Sequence, residues 1–385
     1  MPVDEDGGAL AGMRGGCWPT PDQVLLLRAG LFPLEQARPA WAAWRAANTL
    51  EEADHVSVRL FPLVYRNLLS AGLEEPDLTA LKGAYRASWL RNQLLFERSA
   101  AAVRALEQGG VETMVLKGVA LAMASYVDGG ARPMDDVDIL VRLRDADRAF
   151  EILREEGWRP DSPGPGRRLR SAHAQHLQDG GGRLLDLHWY SLATSGSDEG
   201  FWSRSVEIEL LGVPTRALCA TDQLLHVAVH GGTWGEVPAV RWMADAVAVR
   251  RSAPAGLDWE LLVAEASRRR LTLSLAVSLE HLAQDVEFPV PEWALERLSA
   301  VRKSRLERRV YRASMRPVGR GRWLLVELDR FRRRARLDSS LGYGDFLKDH
   351  FGVATRRELI GPLLSKAGSI ALLQARRLIR HEHPG

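Results

Sequence analysis

Two stretches with helical periodicity enclose a shorter stretch typical of strands, and this arrangement limits the chain to a mixed fold. From Asp77 to Gln108, apolar residues recur at intervals of three and four, as on one face of a helix. After the glycines at 109–110, short runs of Val, Ile and Leu alternate with turn signals up to about residue 192. Helical patterns return from Thr221 onwards. We therefore predict an α+β protein with a small mixed β-sheet core, flanked by N-terminal helices and a helical C-terminal domain.

The same changes of pattern divide the chain into predicted segments. The start is Gly-rich and aperiodic, which indicates disorder, and Thr20-Pro21 then has the signature of a helix N-terminus. The predicted segments are a disordered lead-in (1–18), an N-terminal helical region (19–108), an α/β core (109–215) and a helical C-terminal domain (216–385).

The composition indicates the cellular compartment of the protein more clearly than its function. The 52 Lys and Arg against 49 Asp and Glu give a net charge of +3, too small to indicate a nucleic-acid or membrane partner. The two cysteines, Cys17 and Cys219, are too few for a disulfide framework and lie in no zinc-binding pattern. The acidic N-terminus lacks the features of a signal peptide, and no run approaches the roughly 18 apolar residues of a membrane span. We expect a cytoplasmic protein.

The run DVDILV at 136–141 places two carboxylates on one face of a strand. Because side chains alternate along a strand, Asp136 and Asp138 project to one side and their apolar neighbours to the other. Adjacent carboxylates repel each other, and a hard divalent cation such as Mg²⁺ relieves that repulsion. Asp186, in the later run LLDLHW, offers the third carboxylate that two-metal transfer uses for its second ion and for a proton. Taken alone, two aspartates at this spacing are about as typical of structural acids on a turn as they are of a metal site.

A candidate phosphate site precedes this strand. At Lys117-Gly118 a strand-like run ends and a helical pattern begins, so free backbone N–H groups and a lysine charge are available to an anion. Arg132 could hold phosphate from the intervening loop. The alternative is a surface lysine beside a tight turn. A second LKG at 81–83 lies within a helical pattern with no acidic pair behind it, so the motif has meaning only with its surroundings.

Several histidines are candidates for a site. His226 and His230 lie four apart on a predicted helix, the spacing of a metal-binding pair, and Asp245 follows on the next helix. Since the Glu and third ligand of a zinc protease are missing, we predict histidines that connect packed helices. Three others are candidate neighbours of the active site: His173, His176 and His188.

The run LKGVALAMASYVDGGARPMDDVDILV at 116–141, followed by GWRP and LLDLHW, resembles the bacterial nucleotidyltransferase-like family, an uncharacterised nucleotidyltransferase family of the polymerase-β superfamily. The resemblance covers roughly 80–250 and includes TDQLLHVAVHGGTW and VRWMADAV. It implies a polymerase-β-like core and the transfer of a nucleoside monophosphate from an NTP to an acceptor, with release of pyrophosphate. Most of the wider superfamily has Gly-Ser where this chain has Lys117-Gly118.

The resemblance also implies roles for particular residues. Three carboxylates are the expected catalytic residues and the expected ligands of two Mg²⁺ ions: Asp136, Asp138 and Asp186. Four residues are expected to contact the NTP, with ATP among the candidates: Lys117, Gly118, Arg132 and His188.

Other hypotheses stay open at this point. The acceptor is a small molecule, a peptide or protein, or a tRNA end, and the basic C-terminal helices permit nucleic acid without favouring it. The same fold could instead be a non-catalytic module that binds a nucleotide or a partner, or an enzyme that transfers the γ-phosphate as kinases do. Release of pyrophosphate or of nucleoside diphosphate separates the two reactions.

Overall fold

The computed structural model describes residues 16–70, 78–161, 166–193, 196–233, 240–315 and 320–361. Most of the predicted disordered lead-in, 1–18, lies outside these ranges. Its last residues do not fit that prediction, because Cys17 and Trp18 are each 1% exposed. The Cys17 carbonyl accepts a hydrogen bond from Trp242 Nε1, and Trp18 stacks on His281. These two residues therefore belong to the core.

Helices make up the described chain before the sheet, as predicted. They are α1 (Pro21–Leu31), α2 (Leu34–Ala47), α3 (His55–Val58), α4 (Phe61–Ser70) and α5 (Leu78–Gln108). The predicted start of α1 is confirmed: the Thr20 side chain accepts from the Gln23 N–H, while the Gln23 side chain accepts from the Thr20 N–H. This reciprocal capping box satisfies two backbone donors at the start of the helix.

The described strands form one seven-stranded mixed sheet in the order β3-β4-β5-β2-β1-β7-β6. They are β1 (Thr113–Leu116), β2 (Asp136–Val141), β3 (Arg159–Pro160), β4 (Ala174–Gln178), β5 (Leu184–His188), β6 (Val206–Leu210) and β7 (Val213–Ala217). The helices between the strands are α6 (Lys117–Ala124), α7 (Ala146–Glu155) and α8 (Glu199–Arg204). The β2–β5 and β1–β7 pairs are parallel and the other pairs antiparallel. The predicted mixed sheet and α+β class are confirmed.

The two faces of the central strands have different environments. Val137, Ile139 and Val141 of β2 are fully buried and pack in a hydrophobic cluster with residues of α5 and α7. Leu116 and Leu140 belong to a second cluster, which contains residues of the C-terminal helices. The sheet therefore lies between two helical layers, and the face that carries Leu140 is covered by the C-terminal part of the chain.

The chain after the sheet is helical, as predicted. Its helices are α9 (Ala220–Gly231), α10 (Trp242–Arg251), α11 (Trp259–Arg269), α12 (Thr272–Val286), α13 (Glu292–Ala300), α14 (Arg305–Ser314), α15 (Arg320–Arg334) and α16 (Tyr343–Phe351). Arg269 is buried and forms ion pairs with Glu265 and Asp198. Within the described ranges, no helix is both long and apolar enough to cross a membrane.

Gly231 allows α9 and α10 to approach closely. A Cβ atom at this position would lie 2.1 Å from Trp242 Cγ, so Gly231→Ala forces the indole or the helices to move. We expect the substitution to lower the free energy of unfolding by about 1–3 kcal/mol in urea titrations. The matched control is Gly83→Ala within α5, where a Cβ would meet nothing within 4 Å. Helix propensity predicts that this control is neutral or gains up to about 1 kcal/mol. Equal stability of Gly231→Ala and wild type would contradict the close approach.

Candidate active site

The parallel pairing of β2 with β5 brings predicted site residues together. Its register places Asp138 opposite Asp186 and Leu140 opposite His188. Because side chains alternate along each strand, Asp136 lies on the same face of the sheet as these four residues. The predicted carboxylates therefore share the face that the C-terminal helices cover.

Asp138 lies at the centre of this group and is 1% exposed. Its Oδ1 atom accepts a hydrogen bond from Lys117 Nζ at 2.7 Å and lies 2.9 Å from His188 Nε2. Its Oδ2 atom is also buried but has no hydrogen-bond partner in the part of the chain that is described. Burial alone would raise the pKa of Asp138, but the charge of Lys117 and the hydrogen bond with His188 hold that pKa well below its ordinary value. The carboxylate is therefore ionised, with one oxygen left to bind another group.

Lys117 connects β1 to α6 with left-handed backbone geometry, at φ 44°. This conformation is uncommon for a residue with a side chain and costs roughly 1–2 kcal/mol. Burial would lower the pKa of Lys117, but the adjacent Asp138 carboxylate raises it above the ordinary value. The lysine is therefore charged, and its ion pair with Asp138 helps to offset the backbone strain.

The start of α6 presents backbone N–H groups beside this ion pair. Leu116, the residue before the helix, provides no side-chain cap. A Cβ at Gly118 would lie 3.0 Å from Met134 Sδ and 3.1 Å from Arg132 Nη1, so glycine allows these side chains to approach. An uncapped helix N-terminus is a suitable place for an anion. The predicted contact of Lys117 and Gly118 with phosphate stays a prediction.

Asp136 differs from Asp138 in its surroundings, because it is partly exposed and has no lysine hydrogen bond of its own. The negative charge of Asp138 and, after it, burial raise the pKa of Asp136 to about 6. Two carboxylates that are two positions apart on one strand therefore have pKa values that are shifted in opposite directions.

Asp186 completes a group that could hold a metal ion. Ligand atoms of Asp138, Asp186 and His188 all lie within 4.8 Å of one another, and carboxylate oxygen and imidazole nitrogen are both common ligands of divalent ions. Asp186 Oδ1 is also hydrogen-bonded to His176 Nδ1. The sequence indicated Asp136, Asp138 and Asp186 as metal ligands and assigned His188 to the nucleotide, whereas the group formed here contains His188 and does not contain Asp136.

Arg132, the predicted phosphate contact, has a carboxylate partner. It is 5% exposed, and its Nε and Nη2 atoms donate to the two carboxylate oxygens of Asp245 at 2.8 and 2.9 Å. The Tyr126 hydroxyl donates to the same carboxylate at 2.7 Å. Asp245, noted in the sequence as following two histidines, is therefore the counter-ion of Arg132. A contact between Arg132 and phosphate stays a prediction.

A cavity of about 310 Å³ opens beside Lys117, Asp136 and Asp138. Its wall includes Arg59, near the end of α3, and Arg241, directly before α10. Sequence reasoning missed both arginines, because no spacing rule connects them to the acidic strand. The packing of α3 and α10 around the sheet brings them to the cavity.

The paired histidines of α9 also line the cavity. His226 Nε2 donates to the Ser191 carbonyl at 3.0 Å, and the His226 ring stacks on that of His230. Burial lowers the pKa of His226 to about 4. Among the described residues, no candidate metal group includes either histidine. His226 is therefore held by the loop after β5 and by its neighbour on the same helix, and the predicted role of these histidines stays a prediction.

Residues 56–285, more than half of the chain, match the family described as uncharacterised nucleotidyltransferase. The chain belongs to this nucleotidyltransferase family. The resemblance inferred from the sequence is thereby confirmed, and membership supports nucleotidyl transfer as the general activity.

Solved structures also resemble parts of this nucleotidyltransferase. The antibiotic-resistance factor ANT(2'')-Ia is 16% identical with a TM-score of 0.31, and the match covers 51% of this chain and 96% of that chain. An antigenic nucleotidyltransferase-like protein from Paracoccidioides brasiliensis is 15% identical with a TM-score of 0.35, over 52% of this chain and 92% of that chain. At these TM-scores, neither structure adds evidence to the family match. No curated protein matches the chain.

The Arg132–Asp245 ion pair is expected to be essential for the stability of this nucleotidyltransferase. Arg132→Met leaves the Asp245 carboxylate buried without its counter-ion, and we expect the free energy of unfolding to fall by about 3–5 kcal/mol in urea titrations. The double variant Arg132→Met/Asp245→Leu removes both charges and should recover at least about half of this loss. A double variant as unstable as the single one would show that the unpaired charge is not the cause.

The raised pKa of Asp136 predicts a specific pH dependence. Between pH 3.8 and about 6, the folded protein holds a proton on Asp136 that the unfolded chain has lost. This contribution to stability therefore declines as pH rises through that window, and above it the ionised carboxylate is destabilising. We expect Asp136→Asn to stabilise the metal-free protein at pH 7 by about 1–3 kcal/mol, less than a full conversion of the shift because the residue is partly exposed.

Urea titrations from pH 4 to 7 with a chelator present measure this effect. Glu97→Gln, at an exposed position of α5, is the control and should leave the pH profile unchanged. If Asp136→Asn is less stable than wild type at pH 7, the carboxylate is not under the repulsion described above.

Proposed function

We propose that this nucleotidyltransferase moves a nucleoside monophosphate from an NTP to a hydroxyl group of an acceptor, releases pyrophosphate and depends on Mg²⁺. The observation that carries the proposal is the state of Asp138. Its carboxylate is buried and ionised, one of its oxygens has no partner among the described residues, and it lies next to Asp186. A buried anion with an unsatisfied oxygen is costly unless another group binds it.

Asp138 and Asp186 would hold the metal ion, with His188 as a nitrogen ligand and Asp136 at the adjoining cavity. Asp138 Oδ2 fits this role because no described residue hydrogen-bonds to it, and carboxylate oxygens are the protein ligands that Mg²⁺ prefers. When bound, Mg²⁺ neutralises charge on the triphosphate and makes its α-phosphorus more electrophilic.

Lys117 and the start of α6 would bind the phosphates. Lys117 is charged and already held at the carboxylates, so it can share its ammonium group between Asp138 and a phosphate oxygen. The N–H of Gly118 supports this contact from the helix N-terminus, where the partial positive charge favours an anion.

Asp186 and His176 would remove the proton of the acceptor. In the transfer step, the acceptor oxygen attacks the α-phosphorus, and the bond from the α-phosphorus to the oxygen that bridges to the β-phosphate breaks. The electron pair of that bond leaves with pyrophosphate. Asp186 takes the hydroxyl proton, and the exposed His176, whose pKa the hydrogen bond with Asp186 raises, connects Asp186 to solvent.

Label transfer tests the reaction. The full chain is incubated with Mg²⁺, a cell extract and each of the four NTPs, labelled at the α- or the γ-phosphate. We expect α-label on an acceptor, pyrophosphate in equal amount and no γ-label on the acceptor. Asp138→Asn keeps the shape of the side chain but removes its charge, and it should lower transfer more than about 100-fold.

The matched control is Asp147→Asn, at an exposed position on α7, which packs against the opposite face of the sheet. Transfer of γ-label with release of nucleoside diphosphate would instead identify a kinase-like reaction. Binding of an NTP without transfer to any extract would identify a non-catalytic module.

A further inference from the structure

Arg241 has an unusual position in the cavity wall. It stands directly before α10 and lines the same cavity as Lys117 and Asp136. Its Nε and Nη1 atoms are buried, although the residue as a whole is partly exposed. Neither atom has a hydrogen-bond partner within the described ranges. Buried donors of a charged group are costly when they are left without an acceptor.

The charges around Arg241 increase this cost. Arg132 and Arg59 lie near Arg241, and each of them has a carboxylate partner, Asp245 and Asp135 respectively. For Arg241 the structure has no ion pair within the described ranges. Burial, and then the positive charges of Arg132 and Arg59, lower the pKa of its guanidinium to about 9. The free protein therefore holds a buried cation here that has no ion-pair partner among its described residues.

An anion is the ligand that would lower the cost of burying the Arg241 guanidinium. A phosphate group supplies both negative charge and acceptor oxygens, and guanidinium is well suited to bind it. The carboxylates Asp136 and Asp138 share the cavity, so an anion without a metal ion would meet repulsion there. A polyphosphate that enters together with a divalent cation satisfies both sets of charges.

We propose that Arg241 binds the β- or γ-phosphate of the NTP and so forms the subsite of the leaving pyrophosphate. The proposal rests on the function proposed above and assigns to Arg241 a contact that the sequence suggested for Arg132, whose Nε and Nη2 atoms are engaged with Asp245. The α-phosphate belongs next to Asp138 and Asp186, where the reaction takes place. The far end of the triphosphate then lies against the helical wall of the cavity.

If Arg241 forms this subsite, the substitution Arg241→Met should weaken ligand binding without lowering the stability of the free protein. Arg241→Met removes a buried cation that has no counter-ion among the described residues, so the thermal midpoint of the free protein should stay the same or rise. The same variant should bind inorganic pyrophosphate with Mg²⁺, and each NTP that the wild type binds, about 10- to 100-fold more weakly. An arginine with a purely structural role would destabilise the free protein when replaced.

Isothermal titration calorimetry and thermal unfolding of the full chain measure both effects. Arg250→Met is the matched control, because Arg250 lies in an exposed position on α10, the helix that Arg241 precedes, and it should leave affinity unchanged. Arg241→Lys keeps the charge with a different donor geometry and should give intermediate affinity. AMP distinguishes the phosphates: its affinity should change less than about threefold in Arg241→Met, because AMP lacks the two outer phosphates.

Several results would overturn the subsite. Unchanged affinity of Arg241→Met for pyrophosphate and NTPs excludes the contact, while the proposed function survives if wild type still binds NTP. An equal loss for AMP and pyrophosphate places Arg241 at the α-phosphate or at an acceptor phosphate instead. A lower thermal midpoint with unchanged affinity shows a structural role. If wild type binds no NTP with Mg²⁺, the proposed function itself fails, and the subsite fails with it.

Discussion

The Asp138 carboxylate lies in the middle of the sheet, where Lys117, directly after β1, and His188 from β5 both reach its Oδ1 atom. Three separate segments of the chain therefore meet at one buried oxygen. A buried carboxylate is tolerated only when it is paired, so the contact constrains how the strands can pair. A slip of one residue between β2 and β5 would turn Asp138 towards the apolar layer formed with α5 and α7. The register that keeps Asp138 out of the apolar layer is therefore the register that brings the site residues together.

The same contact explains why the carboxylates of this group are not equivalent. Asp138 receives the charge of Lys117, so its pKa is held low, while its own negative charge raises the pKa of Asp136 to about 6. Pairs of acids whose environments shift their pKa values apart are typical of sites that carry out proton or phosphoryl transfer. Asp186 adds a third environment, with an exposed histidine at hydrogen-bond distance.

Two of the arginines that line the cavity are in contrasting situations. Arg132 and Asp245 neutralise each other within the protein, whereas Arg241 has no such partner among the described residues. Removing one partner of a buried ion pair destabilises the fold, whereas a buried charge without a partner favours the binding of an oppositely charged ligand. Both residues lie inside the segment that matches the nucleotidyltransferase family, and helices α13 to α16 lie beyond it.

Local patterns determined much of this architecture. The three- and four-residue periodicity of 77–108 predicted a helix that the structure has at Leu78–Gln108. The alternation in DVDILV placed Asp136 and Asp138 on one face, because adjacent side chains on a strand point to opposite sides. The Lys117-Gly118 turn was likewise visible, since it joins a strand pattern to a helix pattern.

Only the tertiary structure decided which side chains pair with which. The sequence alone favoured Arg132 for phosphate and gave no sign of its ion pair with Asp245, 113 positions later. His188 joins Asp138 through the parallel register of β2 and β5, and Arg241 reaches the cavity through the packing of α10. Periodicity reports which face of an element is buried. The partner of a buried charge depends instead on which elements pack together and how much water they exclude, and those are properties of the assembled chain.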